Sequence, residues 1–219
     1  VHFPRTKLLC LENTHNRGGG AVWPIERFTA VCEFAHDMGL SVHLDGARLW
    51  NAAVAAGIPE SEYVRHVDSV SVCFSKGLGA PVGSALAGSD EFCSRARRFL
   101  KMFGGGMRQA GIIAAGAIYA LEHNRGRLSE DHVNARRLAA GLAGIDGIEL
   151  DPAAVETNII YMRTIAAAAQ DLVSRLAEEG VGVLATGEDS IRAVTSLAVT
   201  RDDVDAAVKA FARAVGATP

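Results

Sequence analysis

The first two-thirds of the chain alternates short apolar segments with longer amphipathic ones. The short segments are rich in β-branched and other apolar residues and are bounded by glycine, asparagine, aspartate or serine, a pattern that predicts strands. Four such segments occur in order: TKLLCLEN, LSVHLDGA, DSVSVCFS and GSALAGS. Strands that alternate with helices predict βα units and therefore a mostly parallel sheet.

Helical periodicity fills the intervals between these strands. The run from Pro24 to Met38 places apolar residues on one helical face and is followed by Gly39, a helix stop. A second helical run covers Leu49 to Ala56. From Gln109 to Leu121 the sequence is small and apolar nearly all round, which predicts a helix buried between layers.

Shorter strand and helix segments follow one another in the last third. After the amphipathic segment Glu130 to Leu142 come GIELD, TNIIYM, AQDLVSRLAEEG, GVGVLAT, SIRAVTSLAV and a final helix from Asp202 to Val215. Strands grouped with covering helices predict a small α+β domain. We therefore expect a large α/β domain over residues 1–129 and a small domain over residues 130–219.

Composition and charge exclude several classes of protein. The 219 residues are 49% hydrophobic and carry a net charge of -3 without a like-charge block, so we expect no nucleic-acid partner. Charged residues interrupt every apolar stretch before membrane-spanning length, and no signal-peptide pattern opens the chain, so we expect no membrane contact and a cytoplasmic protein. The four cysteines, Cys10, Cys32, Cys73 and Cys93, lack the spacing of a metal site, and we expect them to be small buried side chains.

Two of the predicted strands end in charged residues. The second ends HLDGARLW, with Asp45 and Arg48, and the third ends FSKGLG, with Lys76. Because neighbouring parallel strands present their carboxyl ends to one crevice, we expect Asp45 and Lys76 to face the same space. A lysine among apolar walls loses part of its proton affinity and can attack a carbonyl, for which pyridoxal 5'-phosphate is the usual partner. The alternative is a solvated Ser-Lys-Gly turn beside a common Asp-Gly turn.

A carboxylate beside the pyridine nitrogen keeps that cofactor's ring protonated, and Asp45 can supply it. Arg48 can donate to the ring's phenolic oxygen or to a substrate carboxylate. These assignments agree with a resemblance: RTKLLCLENTHN, HLDGARLWNA, SVCFSKGLGAPVGS and FGGGMRQAG resemble, in that order, motifs of the L-threonine aldolases. Those proteins are pyridoxal-phosphate lyases of the β-eliminating lyase superfamily with the aspartate-aminotransferase-like fold type I.

The resemblance implies roles for individual residues. Lys76 would bond to the cofactor aldehyde, Asp45 would pair with the pyridine nitrogen, and Arg48 would lie at the cofactor or the substrate carboxylate. Arg192 would bind the substrate α-carboxylate, and His2 would lie near the substrate β-hydroxyl. The alternatives are an exposed strand arginine and a frayed terminal histidine. The family's Val-Thr-His is Val194-Thr195-Ser196 here, so that histidine is absent.

Further positions follow from the same resemblance. Lys101 and Arg108 would lie near the cofactor phosphate, either of the same subunit or of a neighbouring one, whereas the alternative for the FGGGMRQ segment is a flexible hinge. The run from Glu12 to Asn16, ENTHN, follows a strand end and would shape the same crevice, with His15 either lining it or capping a turn. Family members are dimers or tetramers, so we expect a homodimer or homotetramer.

The family's upstream phosphate loop, stacking histidine and substrate serine are not found in this sequence, which opens Val-His-Phe. We therefore expect a fragment, with weak or no cofactor binding unless the remainder is supplied in trans. The implied activity is cleavage of L-threonine or L-allo-threonine to glycine and acetaldehyde. The alternatives are another lyase or aminotransferase of the same fold, and an inactive remnant that only oligomerises.

Overall fold

Four strands and five helices form the first of two units in the chain. The structure is a computed structural model that describes residue 2 and residues 4–216. The first unit runs to Thr14 and continues over Val22–Gly126. Its strands are β1 (Leu8–Glu12), β2 (Ser41–Gly46), β3 (Ser69–Cys73) and β4 (Ser84–Gly88). Its helices are α1 (Ile25–Asp37), α2 (Leu49–Ala56), α3 (Glu60–Val64), α4 (Asp90–Met102) and α5 (Gly111–His123).

The sheet of this unit has the order β1-β2-β3-β4. β1, β2 and β3 are parallel, and β4 pairs antiparallel with β3. The predicted mostly parallel sheet is therefore present, and each of the four strand segments supplies one strand. Gly39, with φ at 71°, follows α1 at the predicted stop, in a left-handed conformation that glycine adopts without steric cost.

Apolar side chains of α1 pack against β2 and form the core of this unit. Phe28 and Tyr63 are fully buried and meet edge to face, with ring centroids 5.3 Å apart. Cys32 is also buried, and burial raises the pKa of its thiol to about 11, helped by the charges of Asp68 and Glu33. The expectation that all four cysteines are buried is wrong: Cys10 is exposed, and Cys73 and Cys93 are only partly covered.

Helices α4 and α5 depart from the sequence pattern. The pattern did not predict α4, which begins after Ser89, whose hydroxyl accepts a hydrogen bond from Phe92 N, and which buries no residue. α5 is the predicted apolar helix, but the expectation that it is buried is wrong. Ile112 is 85% exposed, and only Ala117 and Ala120 are buried, because few of the described residues pack over this helix.

The second unit comprises His15–Ala21 and the chain from Arg127 onward. Its helices are α6 (Leu128–Leu142), α7 (Ala169–Glu178) and α8 (Arg201–Gly216), and its strands are β5 (Ile148–Glu149), β6 (Ile159–Thr164), β7 (Leu184–Ala185) and β8 (Ser190–Val194). The strands form an antiparallel sheet of order β5-β6-β8-β7. The sequence pattern placed the start of the second domain at residue 130 and did not indicate that residues 15–21 belong to this unit.

The second unit has its own core, separate in sequence from the first. Leu142, Leu172 and Phe211, from the three helices, are fully buried with Ile160 and Ile191 of the sheet. One face of the sheet is thus covered by helices. In the described part of the chain, no helix combines the length and the apolar content needed to cross a bilayer.

Candidate active site

Asp45 lies at the carboxyl end of β2 in the first unit. β2 and β3 are parallel, and Asp45 is in register with Ser71. The Asp45 side chain is exposed, and its Oδ1 accepts a hydrogen bond from Ala47 N at 3.0 Å. The turn that follows the strand therefore fixes one oxygen of the carboxylate at the sheet edge where ligands of parallel sheets bind.

Glycine at position 46 allows the sharp change from β2 to α2. A Cβ at Gly46 would lie 3.0 Å from Ser71 O, 3.1 Å from Val70 Cγ2 and 3.2 Å from Leu49 Cβ, closer than side chains normally approach. Without that Cβ, α2 can begin three residues after the strand. Arg48, which is partly buried, immediately precedes this helix and lies three residues after Asp45 in the sequence.

Lys76 lies in a turn that connects β3 to β4. Gly79 N donates to Lys76 O at 2.9 Å, and Ala80 N donates to Phe74 O at 3.0 Å. The Asn124 side chain, just beyond α5, donates to Leu78 O at 2.8 Å. The backbone of the turn is therefore held at several points, while the Lys76 side chain is exposed and has no polar partner among the described residues.

Two polar residues of the ENTHN run, which the sequence predicted to shape the crevice, are buried just after β1. Asn13 and Thr14 are 0% and 1% exposed, and Asn13 N donates to Asp45 O at 3.0 Å. Asn13 Oδ1 accepts from Trp23 N, but Asn13 Nδ2 and Thr14 Oγ1 have no partner among the described residues. Buried donors without partners are costly, so a polar ligand at this edge would compensate them. The signal for this run was a polar segment that directly follows an apolar strand.

Arg192 lies on β8 in the second unit, in register with Tyr161 of β6 and Leu184 of β7. Its Nη1 donates to Asn16 Oδ1 at 3.0 Å. Its Nε is buried and has no partner among the described residues. A guanidinium with one donor fixed and another unsatisfied is prepared to bind a carboxylate. Sequence reasoning included both Arg192 and the run that ends at Asn16, but it did not pair these two residues, which lie 176 positions apart.

Residues 15–21 hold Asn16 in place. His15 N donates to Ala21 O at 3.0 Å and Gly20 N donates to His15 O at 2.9 Å, which closes the loop. The buried hydroxyl of Thr157 donates to Gly20 O at 2.8 Å and so links the loop to the segment just before β6. Beside it lies a cleft of about 560 Å³ whose lining includes Asn16, Arg17, Tyr161, Thr186, Ser190 and Arg192.

The remaining predicted residues are exposed. Lys101 is in the last turn of α4, and Arg108 lies between α4 and α5. His2 precedes β1 outside regular secondary structure. Within the part of the chain that the structure describes, no hydrogen bond or ion pair joins these three side chains to Asp45 or Lys76. No group of three or more histidine, cysteine, aspartate or glutamate side chains in that part is arranged to hold a metal ion.

Two titratable residues are buried on α6. Burial raises the pKa of Asp131 to about 6, and Asp131 Oδ2 has no partner among the described residues. Burial, with the charge of Arg136, lowers the pKa of His132 to about 4. Thr195, which precedes Ser196, is buried, and its hydroxyl donates to Asp131 O at 2.7 Å. The Thr195 side chain therefore supports the core of the second unit.

Known proteins match nearly the whole length of this chain. The chain is 44% identical over 208 residues to the low specificity L-threonine aldolase of Escherichia coli K12. This alignment covers 93% of the chain and 59% of the Escherichia coli protein. A Listeria monocytogenes structure designated as an L-allo-threonine aldolase superposes with a TM-score of 0.82 at 23% identity, covering 98% of this chain and 63% of that one. The chain thus spans about 60% of the length of these relatives.

The fold is shared more widely. One such structure is LysN, the α-aminoadipate aminotransferase of Thermus thermophilus, which was solved with N-(5'-phosphopyridoxyl)-L-leucine. The superposition covers 95% of this chain and 58% of the LysN chain, with a TM-score of 0.66 at 15% identity. The predicted α/β fold, aspartate-aminotransferase-like fold type I, is confirmed, and so is the resemblance to the L-threonine aldolases. Because the model of the β-eliminating lyases matches residues 1–165, three quarters of the sequence, the chain belongs to the β-eliminating lyase family.

Proposed function

We propose that this chain carries the catalytic residues of a pyridoxal-phosphate-dependent carbon–carbon lyase that cleaves L-threonine or L-allo-threonine to glycine and acetaldehyde. The observation that carries the proposal is the parallel pairing of β2 and β3, which brings Asp45 and the Lys76 turn to the same edge of one sheet. The 44% identity to a low specificity L-threonine aldolase supports the substrate.

The residues at this edge fit the cofactor. Asp45 has one carboxylate oxygen engaged by Ala47 N, and the side chain remains exposed for a ring nitrogen. The unpartnered buried side chains of Asn13 and Thr14 directly follow β1, where Asn13 N donates to Asp45 O. Lys76 would hold the cofactor aldehyde, and Asp45 would hold the protonated pyridine nitrogen. When bound, the cofactor supplies an electron-withdrawing ring that accepts the electron pair of the broken bond.

Arginines of the chain would orient the substrate. Arg192 would bind the α-carboxylate through Nε and its remaining donors, since Nη1 is already directed at Asn16. Bidentate binding fixes both the position and the rotation of a carboxylate, which one ammonium cannot do. Arg48 would donate to the cofactor's phenolic oxygen or to the same carboxylate, and Lys101 and Arg108 would lie near the cofactor phosphate.

Cleavage requires that one proton leave the β-hydroxyl and one reach Cα. His2, or a water, would take the hydroxyl proton while the Cα–Cβ bond breaks and the hydroxyl oxygen becomes the acetaldehyde carbonyl oxygen. A proton then adds to Cα, giving glycine. The atoms balance without oxidant or reductant. The Lys76 amine is free of other polar partners among the described residues, so it can rebind the cofactor after glycine leaves.

Substitution of Lys76 tests this proposal. Lys76→Ala should abolish formation of glycine and acetaldehyde in protein supplied with the cofactor, whereas Lys209→Ala, on exposed α8 surface, should not change it. Equal, measurable rates of product formation in the two variants would show that Lys76 is not the reactive amine. A keto acid, or ammonia with a keto acid, in place of glycine and acetaldehyde would instead identify another lyase or an aminotransferase.

Three further expectations remain predictions: a homodimer or homotetramer, a cytoplasmic location, and a division into domains at residues 129 and 130. Sedimentation velocity of the purified protein would measure the first. The apolar composition, with 49% hydrophobic residues, and the exposed apolar side chains of α5 support an oligomer.

A further inference from the structure

A second arginine lines the cleft beside Arg192. Arg17 follows Asn16 directly, and both residues belong to the cleft of about 560 Å³ in the second unit. Cavities that bind small molecules typically measure about 300–1,000 Å³, so this cleft has room for a ligand larger than one carboxylate group. The lining also includes Tyr161, Thr186 and Ser190.

The charge of the cleft is unbalanced. None of the described side chains that line it is acidic, although two are guanidinium groups. Asp189, the acidic residue next to Ser190, is already engaged by Arg163 Nε at 2.9 Å and Nη2 at 2.6 Å. Arg17 has no hydrogen bond or ion pair among the described residues. Two positive charges on one cleft without a counter-charge favour a ligand with more than one negative group.

The loop fixes the positions of both arginines. Asn16 Oδ1 accepts from Arg192 Nη1 at 3.0 Å, and the hydrogen bonds of His15 N to Ala21 O and of Gly20 N to His15 O close the main chain of the loop. The Thr157 hydroxyl holds Gly20 O from the other end of the loop at 2.8 Å. Arg17 therefore starts from a fixed backbone at the margin of the cleft, and its exposed side chain offers five N–H donors.

We propose that Arg17 is a specificity-determining residue that binds a second acidic group, so that the cleft takes dicarboxylate ligands with one carboxylate on Arg192 and the other on Arg17. Resting on the function proposed above, this extends the substrate class to β-hydroxy-α-amino acids whose side chain ends in a carboxylate. The tie of Arg192 to Asn16 keeps the α-carboxylate on Arg192, and the less buried Arg17 receives the side-chain group.

Succinate and butyrate, two acids of equal chain length that differ by one carboxylate, measure this directly. Their Kd values for the full chain at constant ionic strength are obtained from the arginine Nε–Hε signals in ¹H–¹⁵N spectra. We expect succinate to bind about tenfold more tightly than butyrate, the effect of one additional charge-assisted contact. Arg17→Gln should reduce this ratio to about one without weakening butyrate binding, and Arg192→Gln should weaken both acids.

Arg27→Gln, a matched loss of one exposed charge on α1, should keep the full succinate preference. Equal Kd values for the two acids in the unaltered chain, or an unchanged ratio in Arg17→Gln, would overturn the proposal, even in protein that forms glycine from threonine. A preference for succinate that disappears in Arg17→Gln alone supports it, even in protein that forms no glycine. The binding test and the threonine assay therefore fail independently of each other.

Discussion

Substitution of Gly20 should destabilise the loop that holds Asn16, by an amount that can be worked out from its surroundings. Gly19 and Gly20 both have φ at 77°, in the left-handed region. A side chain in that region costs about 1–2 kcal/mol relative to glycine. A Cβ at Gly19 would meet nothing within 4 Å, whereas one at Gly20 would lie 2.3 Å from Thr157 Oγ1 and 3.2 Å from Ile159 Cβ.

The clash has an additional consequence for hydrogen bonding. Thr157 is fully buried, and its hydroxyl donates to Gly20 O, so moving it aside leaves a buried donor and acceptor without partners. That loss costs about 1–3 kcal/mol. Gly19→Ala should therefore lower the free energy of unfolding by about 1 kcal/mol and Gly20→Ala by about 3 kcal/mol.

Urea unfolding followed by far-UV circular dichroism measures both variants. Tryptophan fluorescence reports on the first unit, since both tryptophans of the chain, Trp23 and Trp50, belong to it. Gly20→Ala should also weaken binding of butyrate at the Arg192 Nε signal, and Gly19→Ala should change it less. Equal losses of stability in the two variants would refute the reasoning, because they share the same φ and differ only in what surrounds the new Cβ.

Three other substitutions have outcomes set by local structure. Folding raises the pKa of Asp131 to about 6, so the stability that Asp131 contributes is lost as pH rises from 4 to 6. Folding lowers the pKa of His132 to about 4, so the stability that His132 contributes is lost as pH falls from 6.5 to 4. In Asp131→Asn only the pH dependence that comes from His132 should remain. The free energy of unfolding of this variant, measured by urea unfolding, should then fall by about 2–3 kcal/mol between pH 7 and pH 4, and a flat profile would contradict this. Tyr63→Phe removes the 2.7 Å hydrogen bond to Trp23 O and should cost about 1–2 kcal/mol by the same measurement, so an unchanged unfolding midpoint would count against it. Ile112→Gln, at an 85% exposed position, should change the stability of the isolated chain by less than about 0.5 kcal/mol, and a larger loss would mean that α5 is covered.

The proposed pairing of Asp45 with Lys76 in the first unit was accessible from the sequence. Asp45 and Lys76 each follow an apolar segment, and one helical run separates the segments, so the rule for parallel strands placed both at the same sheet edge. The structure has that pairing, with Asp45 in register with Ser71. The burial of Asn13 and Thr14 without hydrogen-bond partners could not be predicted in the same way, because it depends on neighbours that only the tertiary structure shows.

Helix burial shows the limit of periodicity. The pattern from residue 109 to 121 predicted a helix correctly, since small apolar residues favour that conformation. Its burial was predicted wrongly, because burial depends on which other segments lie against the helix, and Ile112 and Ile118 are exposed. The helix α4 was missed although Phe92, Phe99 and Leu100 lie on one helical face, and none of its residues is buried in the structure.

The sequence alone determined the order of strands and helices, the parallel start of the sheet and the family resemblance, and it supplied the proposed site pair Asp45 and Lys76. These depend on short-range patterns, since periodicity and turn chemistry act over a few residues. Only the tertiary structure decided that residues 15–21 belong to the second unit, that Asn16 holds Arg192, and that Arg17 lines the same cleft. Those contacts join positions up to 176 residues apart, and a hydrogen bond at that separation depends on packing that no local pattern encodes.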